Sequence, residues 1–202
     1  HISRDHGSKG SVIAEKLAEV LNCKVYDDSV IDDIAREHDL DPEVLKSYDE
    51  KPRRSILYRL SQGGGSDLPE KMMEYMFEYF QKIAATEDRA VIVGRCAEYV
   101  LRENPDAVSV FVKADMASKV DRAVKYYGIE ADKAEDRIRK ADKQRASYYN
   151  YYATATWGDV ENYDLVEMGF NSAEYLHVFN EAYRLAMADA STYFADPDFY
   201  EL

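Results

Sequence analysis

The sequence predicts an α/β fold in which a parallel sheet is covered by helices on both faces. Two continuous apolar runs bounded by polar residues, 90–94 and 108–112, are typical of buried parallel strands. Segments with apolar residues at helical spacing alternate with such runs, which is the order that produces a parallel sheet. The 202 residues suffice for one sizeable core, so we expect a single domain over 1–202.

The first quarter of the chain predicts a strand, a loop, a helix and a second strand. His1-Ile2 is β-prone, a loop of small residues follows, and residues 12–21 carry apolar side chains at helical spacing. So short a first strand leads us to expect further residues before His1. The run 24–27 predicts the second strand. A helix beginning at Ser29 is expected to bury Val30, Ile31, Ile34 and Ala35.

The remaining elements continue this alternation. Asp41-Pro42 predicts a helix start with proline in the first turn. A polar connection at 48–54 and a glycine-rich loop at 62–66 precede a long helix from Leu68 to about Ala85. Three strands are then predicted at 90–94, 108–112 and 163–166, with helices near 95–103, 115–127, 131–150 and 172–190.

Composition excludes several classes of partner. The net charge of −13, from 26 basic and 39 acidic residues, argues against nucleic acid but allows a nucleotide bound by a local basic cluster. No apolar run approaches the length of a membrane span, so we expect no membrane partner. Two cysteines, Cys23 and Cys96, do not form a disulfide framework, which predicts a cytoplasmic protein.

The loop after the first strand resembles a phosphate-binding loop. Against the pattern G-x-x-x-x-G-K-[ST], Lys9 falls on the lysine while Ser3 and Ser8 replace the two glycines. Backbone N–H groups and the positive end of the helix would face an anion, and the lysine adds a point charge. Serine can replace glycine only where φ stays negative. The alternative is a helix capped by Ser8 or Ser11, with Gly7 in a turn.

Longer motifs follow one another along the chain. They are Ile-Ser-Arg-x-x-Gly-Ser-x-Gly at 2–10, Tyr-Asp at 26–27, Tyr-Asp-Glu-Lys-Pro at 48–52, Val-Gly-Arg-Cys-Ala-x-Tyr-Val-Leu at 93–101, a basic run at 137–145, Tyr-Tyr at 148–149, Trp-Gly-Asp at 157–159 and Tyr-Asp-Leu at 163–165. Together they resemble the bacterial cytidylate kinase-like family, a branch of the P-loop nucleoside monophosphate kinases. The resemblance extends from Ile2 to about Leu185.

This resemblance implies a P-loop NTPase-type fold with three layers, α/β/α, around a five-stranded parallel sheet. It also implies two helical inserts in the single domain. The core would comprise 1–27, 86–127 and 157–190, the monophosphate-binding insert about 28–85, and the lid about 128–156.

The implied activity is ATP-dependent phosphoryl transfer, with Mg²⁺, to a nucleoside monophosphate such as CMP or dCMP or to a related small acceptor. Lys9 would contact the donor phosphates, and the surrounding loop, Arg4, Gly7, Ser8, Gly10 and Ser11, would hold them. Arg122, Arg139 and Arg145 would stabilise the transferring phosphoryl group, with Lys140 and Lys143 as further lid candidates. Arg145 fits best because it ends an Asp-x-x-Arg pattern that starts at Asp142. The alternative for this basic helix is a solvated face.

The acceptor would lie under the monophosphate-binding insert. Arg95 follows a buried strand, where open α/β sheets place ligands, and would hold the acceptor phosphate; its alternative is a structural ion pair. Asp27, Arg53 and Tyr58 would contact the acceptor. Ser11 and Asp27 would bind Mg²⁺ through water. Asp27 and the neighbouring Asp28 have the alternative of capping the helix that follows, and Arg53 and Tyr58 that of solvent exposure.

Three residues and one segment depart from the family pattern. Ser3 and Ser8 replace glycines, Cys96 replaces the aspartate after the acceptor arginine, and the segment 166–172 is altered. These departures leave a second hypothesis open, a catalytically weakened nucleotide-binding or regulatory protein of the same fold. The sequence does not determine the acceptor, nor whether the chain forms a homo-oligomer.

Overall fold

The structure, a computed structural model, describes residues 1–48, 68–153 and 155–168. Five short strands lie in this part of the chain, and each lies at or within three residues of its predicted position. They are β1 (Ile2–Arg4), β2 (Lys24–Tyr26), β3 (Ala90–Ile92), β4 (Val110–Lys113) and β5 (Leu165–Met168). The helix expected at 172–190 and most of the altered segment 166–172 lie outside the described residues.

The strands pair in parallel. One group has the order β1-β4-β5 and the other pairs β2 with β3. A parallel bridge between Ile2 and Val93 joins the groups, where the N–H of Gly94 donates to the carbonyl oxygen of Ile2 at 2.9 Å. The pairings therefore set β3 and β4 on either side of β1, and the carboxyl ends of all these strands point the same way.

Seven helices lie between the strands in the described ranges, singly or in groups of two or three. They are α1 (Gly10–Leu21), α2 (Ser29–Glu37), α3 (Pro42–Tyr48), α4 (Leu68–Thr86), α5 (Ala97–Leu101), α6 (Met116–Tyr127) and α7 (Ala131–Tyr152), and a short 3₁₀ helix spans Val160–Asn162. None of these described helices is long and apolar enough to cross a membrane.

Both faces of β3 are covered, as its continuous apolar run predicts. Val91 and Val93 pack in one cluster with Ala14 and Ala18 of α1. Ile92 points to the opposite face and joins a second cluster with residues of α2 and α4. Burial of side chains of this size contributes about 1.5–3 kcal/mol each. The four α2 residues predicted to be inward-facing are all buried: Val30, Ile31, Ile34 and Ala35.

The parallel arrangement brings several loops to one edge of the sheet. Residues 5–9 follow β1, residues 27–28 follow β2, and residues 93–96 follow β3. Because ligands of open α/β sheets bind beyond the carboxyl ends of the strands, this edge is the candidate site.

Candidate phosphate-binding site

The two serines that stand at glycine positions of the P-loop pattern, Ser3 in β1 and Ser8 in the β1–α1 loop, both lie outside the left-handed region. In the described chain, Gly7 (φ 79°) and Lys9 (φ 70°) are left-handed, whereas Ser3 and Ser8 are not. The Ser8 hydroxyl donates to the carbonyl oxygen of Asp5 at 2.9 Å and accepts the N–H of Gly10 at 3.3 Å. Serine is thus compatible with both positions at which the P-loop pattern has glycine, and the Ser8 hydroxyl also stabilises the turn.

The Ser3 side chain, on β1, forms a hydrogen bond with a buried carboxylate. Its hydroxyl donates to Glu98 Oε2 at 3.3 Å, and the Tyr163 hydroxyl donates to Glu98 Oε1 at 3.3 Å. Glu98 is 5% exposed, and burial raises the pKa of its carboxyl group. The sequence analysis did not identify Glu98, and no local pattern marks it, because its partners lie far away along the chain.

Gly10 is the first residue of α1 and is packed against the strand that precedes the loop. A Cβ atom at this position would lie 2.4 Å from Cβ of Arg4 and 2.8 Å from its Cγ. Lys9 is the residue before the helix, and the N–H of Ile13 donates to its carbonyl oxygen at 3.0 Å. The helix N-terminus is therefore held close to the loop, where its N–H groups and dipole favour an anion.

Four side chains of α6 and α7, which we call the α6–α7 group, contact the loop or the end of β1 that precedes it: Lys119, Arg122, Asp142 and Arg145. Arg122 Nη1 donates to the carbonyl oxygen of Gly7 at 2.7 Å, and Arg145 Nη1 donates to that of Arg4 at 3.5 Å. The structure thus brings two of the three predicted catalytic arginines to the loop.

The other two members of the group form an ion-pair network. Lys119 Nζ lies 2.6 Å from Asp142 Oδ2 and 3.2 Å from Asp5 Oδ2, and the lysine is 4% exposed. The other carboxylate oxygen of Asp142 accepts the N–H of His6 at 2.6 Å. Sequence reasoning missed Lys119 and Asp5. The available signal for Lys119 was its position three residues before Arg122, on the same face of one helix.

Arg95 occupies the predicted acceptor side. Its guanidinium is buried, and Nη2 donates to Asp28 Oδ1 at 2.7 Å. Gly94, Arg95 and Cys96 all have positive φ, at 71°, 58° and 60°. Consecutive left-handed residues cost energy and are most often found at functional sites. Asp28, whose side chain is 87% exposed, makes the ion pair that the sequence analysis gave as the alternative for Arg95.

One finding now identifies the family. The sequence model of the cytidylate kinase-like family matches residues 1–167. The chain belongs to the cytidylate kinase-like family. A cytidylate kinase from Methanopyrus kandleri is 25% identical over 169 residues, which are 79% of this chain and 78% of that protein.

Solved structures agree with the family at the level of fold. The crystal structure of an uncharacterized protein from Eubacterium ventriosum has a TM-score of 0.68 and 26% identity, covering 92% of this chain and 96% of the other. Shikimate kinase from Bacteroides thetaiotaomicron has a TM-score of 0.53 at 13% identity, with the same coverage. The mixed α/β architecture with parallel strands therefore fits a P-loop kinase fold.

The remaining predicted site residues of this family member are dispersed. Arg139 is exposed and pairs with Glu135, one turn earlier on α7, at 2.6 Å, which matches a solvated face. Ser11 is exposed in the first turn of α1. The Asp27 carboxylate accepts the N–H of Ser29 at 3.2 Å, at the start of α2. Arg53 and Tyr58 lie outside the described residues.

Cys96, the departure beside Arg95, is 2% exposed and packs with Met73, Tyr148 and Tyr149. It is a small buried residue.

We expect Gly10→Ala to destabilise the protein by about 1–3 kcal/mol, the usual cost of overpacking. The clash is with atoms near the backbone of Arg4, so a flexible side-chain end cannot relieve it. Urea denaturation should show a lower midpoint with an unchanged slope. Ser11→Ala, at the next and exposed position, should leave the free energy of unfolding within about 0.5 kcal/mol of the wild type. Equal midpoints for the glycine variant and the wild type would contradict the close packing.

Proposed function

We propose that the chain transfers a phosphoryl group from ATP to a nucleoside monophosphate, with CMP or dCMP as the first candidates. The observation that carries this proposal is the arrangement around the β1–α1 loop. The helix after the loop begins at Gly10, which packs tightly against Arg4, and Arg122 and Arg145 donate to the carbonyl oxygens of Gly7 and Arg4. Such an arrangement supplies N–H donors and two guanidinium groups to a polyphosphate.

The donor phosphates would lie on the loop. We infer that Lys9 contacts them, that the backbone from Gly7 to Ser11 surrounds them, and that Arg4 borders the site. Phosphoryl transfer needs little covalent help from the protein, because positioning and charge neutralisation lower most of the barrier. Mg²⁺ would neutralise phosphate charge when it is bound, held through water by Ser11 and Asp27.

The predicted catalytic arginines would complete the charge neutralisation. Arg122 and Arg145 now donate to loop carbonyl oxygens. Because carbonyl oxygens are weaker partners than phosphate oxygens, both guanidinium groups would move to the transferring group when it is present. Arg139 would join them by leaving its surface pair with Glu135, which stabilises the helix by no more than a few tenths of a kcal/mol.

The acceptor would lie beyond the ends of β2 and β3. Arg95 would bind its phosphate, and Asp27, Arg53 and Tyr58 would contact its remaining groups. We infer one five-stranded sheet, in the order β2-β3-β1-β4-β5, between two helical layers. We also infer a monophosphate-binding insert at about 28–85 and a lid at about 128–156, which includes α7.

The test is a screen of acceptors. The protein would be incubated with ATP and Mg²⁺ and, in turn, with each common ribo- and deoxyribonucleoside monophosphate. Formation of ADP and of the diphosphate product would be followed by ion-exchange chromatography. We expect turnover with at least one pyrimidine monophosphate and none in the Lys9→Ala protein. If no acceptor is phosphorylated above that control, the proposed function is wrong.

A further inference from the structure

A carboxylate of α7 accepts a hydrogen bond from a backbone N–H of the β1–α1 loop. The N–H of His6 donates to Asp142 Oδ1 at 2.6 Å, and hydrogen bonds to a carboxylate are stronger than those to a neutral acceptor. Backbone N–H groups of such loops are the donors that bind phosphate oxygens. The Asp142 carboxylate therefore takes the position at His6 that a phosphate oxygen would take.

Two further N–H groups of the loop are bonded inside the loop itself. That of Ser8 donates to the carbonyl oxygen of Asp5 at 3.3 Å, and that of Gly10 donates to the Ser8 hydroxyl at 3.3 Å. Among these three acceptors, Asp142 alone comes from another part of the chain. The hydrogen bonding of the loop N–H groups thus depends on the position of α7, because α7 carries the Asp142 carboxylate.

Asp142 is held at the loop by Lys119. The lysine is buried between two carboxylates, Asp5 and Asp142. One carboxylate is enough to neutralise the lysine, so Asp142 can leave while Lys119 keeps Asp5. Departure of Asp142 therefore does not strand a buried cation, which would cost several kcal/mol.

We propose that Asp142 competes with the donor phosphates for the N–H of His6 and so holds α7 against the loop until they bind. The proposal rests on the proposed function, because it concerns the same donor site. Polyphosphate binding displaces the carboxylate from His6. Arg145 lies three residues further along the helix and also contacts the loop, at Arg4. Release of Asp142 therefore frees Arg145 from its carbonyl partner at the time a phosphate arrives.

The test compares affinities for ATP with Mg²⁺, without acceptor, by calorimetry. We expect Asp142→Ala to bind about tenfold more tightly than the wild type, because one charge-assisted hydrogen bond no longer has to be broken. Asp136→Ala removes the same charge from an exposed position of the same helix. It should change the affinity by less than about twofold, and the difference between the two variants should persist at high salt, where long-range charge effects are screened.

A second measurement follows the contact directly. Exchange of the His6 amide proton, measured by NMR, should be slow in the ligand-free wild type and faster in ligand-free Asp142→Ala. Equal or weaker ATP binding by a folded Asp142→Ala protein would overturn the inference and leave the proposed function standing. If the wild type and both variants all fail to bind ATP, the proposed function fails, and the inference fails with it.

Discussion

Replacing Lys9 with alanine should abolish ATP binding measurable by calorimetry and lower turnover by at least about 100-fold, the usual effect of losing one preorganised electrostatic donor. Lys9 stands directly before α1, where the helix N-terminus, the loop N–H groups and the lysine charge converge. Its positive φ of 70° is equally unfavourable for lysine and alanine, so the fold should tolerate the substitution.

The matched control is Lys16→Ala, which removes a lysine from the exposed face of the same helix. It should leave ATP affinity and turnover within about twofold of the wild type, and its small stability change should lie within about 0.5 kcal/mol. Thermal unfolding of both variants shows whether a variant that fails to bind ATP is still folded. A folded Lys9→Ala protein that binds ATP as tightly as the wild type would exclude this loop as the donor site.

The sequence predicts the elements because their signals are local. The apolar run that forms β3 and the helical spacing in α2 each identify one element, and the structure confirms both. The loop was also identifiable, since Lys9 and Gly10 keep their places although two glycines are replaced. Ser8 shows why the replacement is tolerated: its φ is not positive, and its hydroxyl bonds within the turn.

The partners across the fold could not be predicted in the same way. Ser3 and Glu98 are 95 residues apart, and Lys119 is 114 residues from Asp5. No local period connects such pairs, because only the packing of helices on the sheet brings them together. The paired aspartates after β2 show the same limit: Asp28 meets Arg95, while its neighbour bonds to the start of α2.

Lys119→Met should destabilise the protein by about 3 kcal/mol at neutral pH, because it leaves two carboxylates without their shared cation. The methylene stem of Lys119 is replaced by a side chain of similar volume, so packing should change little. The loss is electrostatic and is expected to depend on pH. Lys125→Met, on an exposed face of the same helix, is the control and should stay within about 0.5 kcal/mol of the wild type.

The direction of that pH dependence follows from Asp5. Burial raises the pKa of its carboxyl group, and Lys119 opposes this increase, so removing the lysine should raise the pKa further. A folded state with a raised carboxyl pKa holds the proton more tightly than the unfolded state. Stability is therefore lost as pH rises from the ordinary carboxyl pKa through the raised one.

The loss of unfolding free energy that Lys119→Met causes, measured by urea denaturation, should accordingly be smaller at pH 5 than at pH 8. Adding Asp5→Asn to this variant should recover part of the loss at pH 8, because one of the two uncompensated charges is then gone. A deficit of equal size at both pH values, with no recovery in the double variant, would mean that Lys119 acts through packing alone. The buried ion pairs would then contribute nothing to holding α7 at the loop.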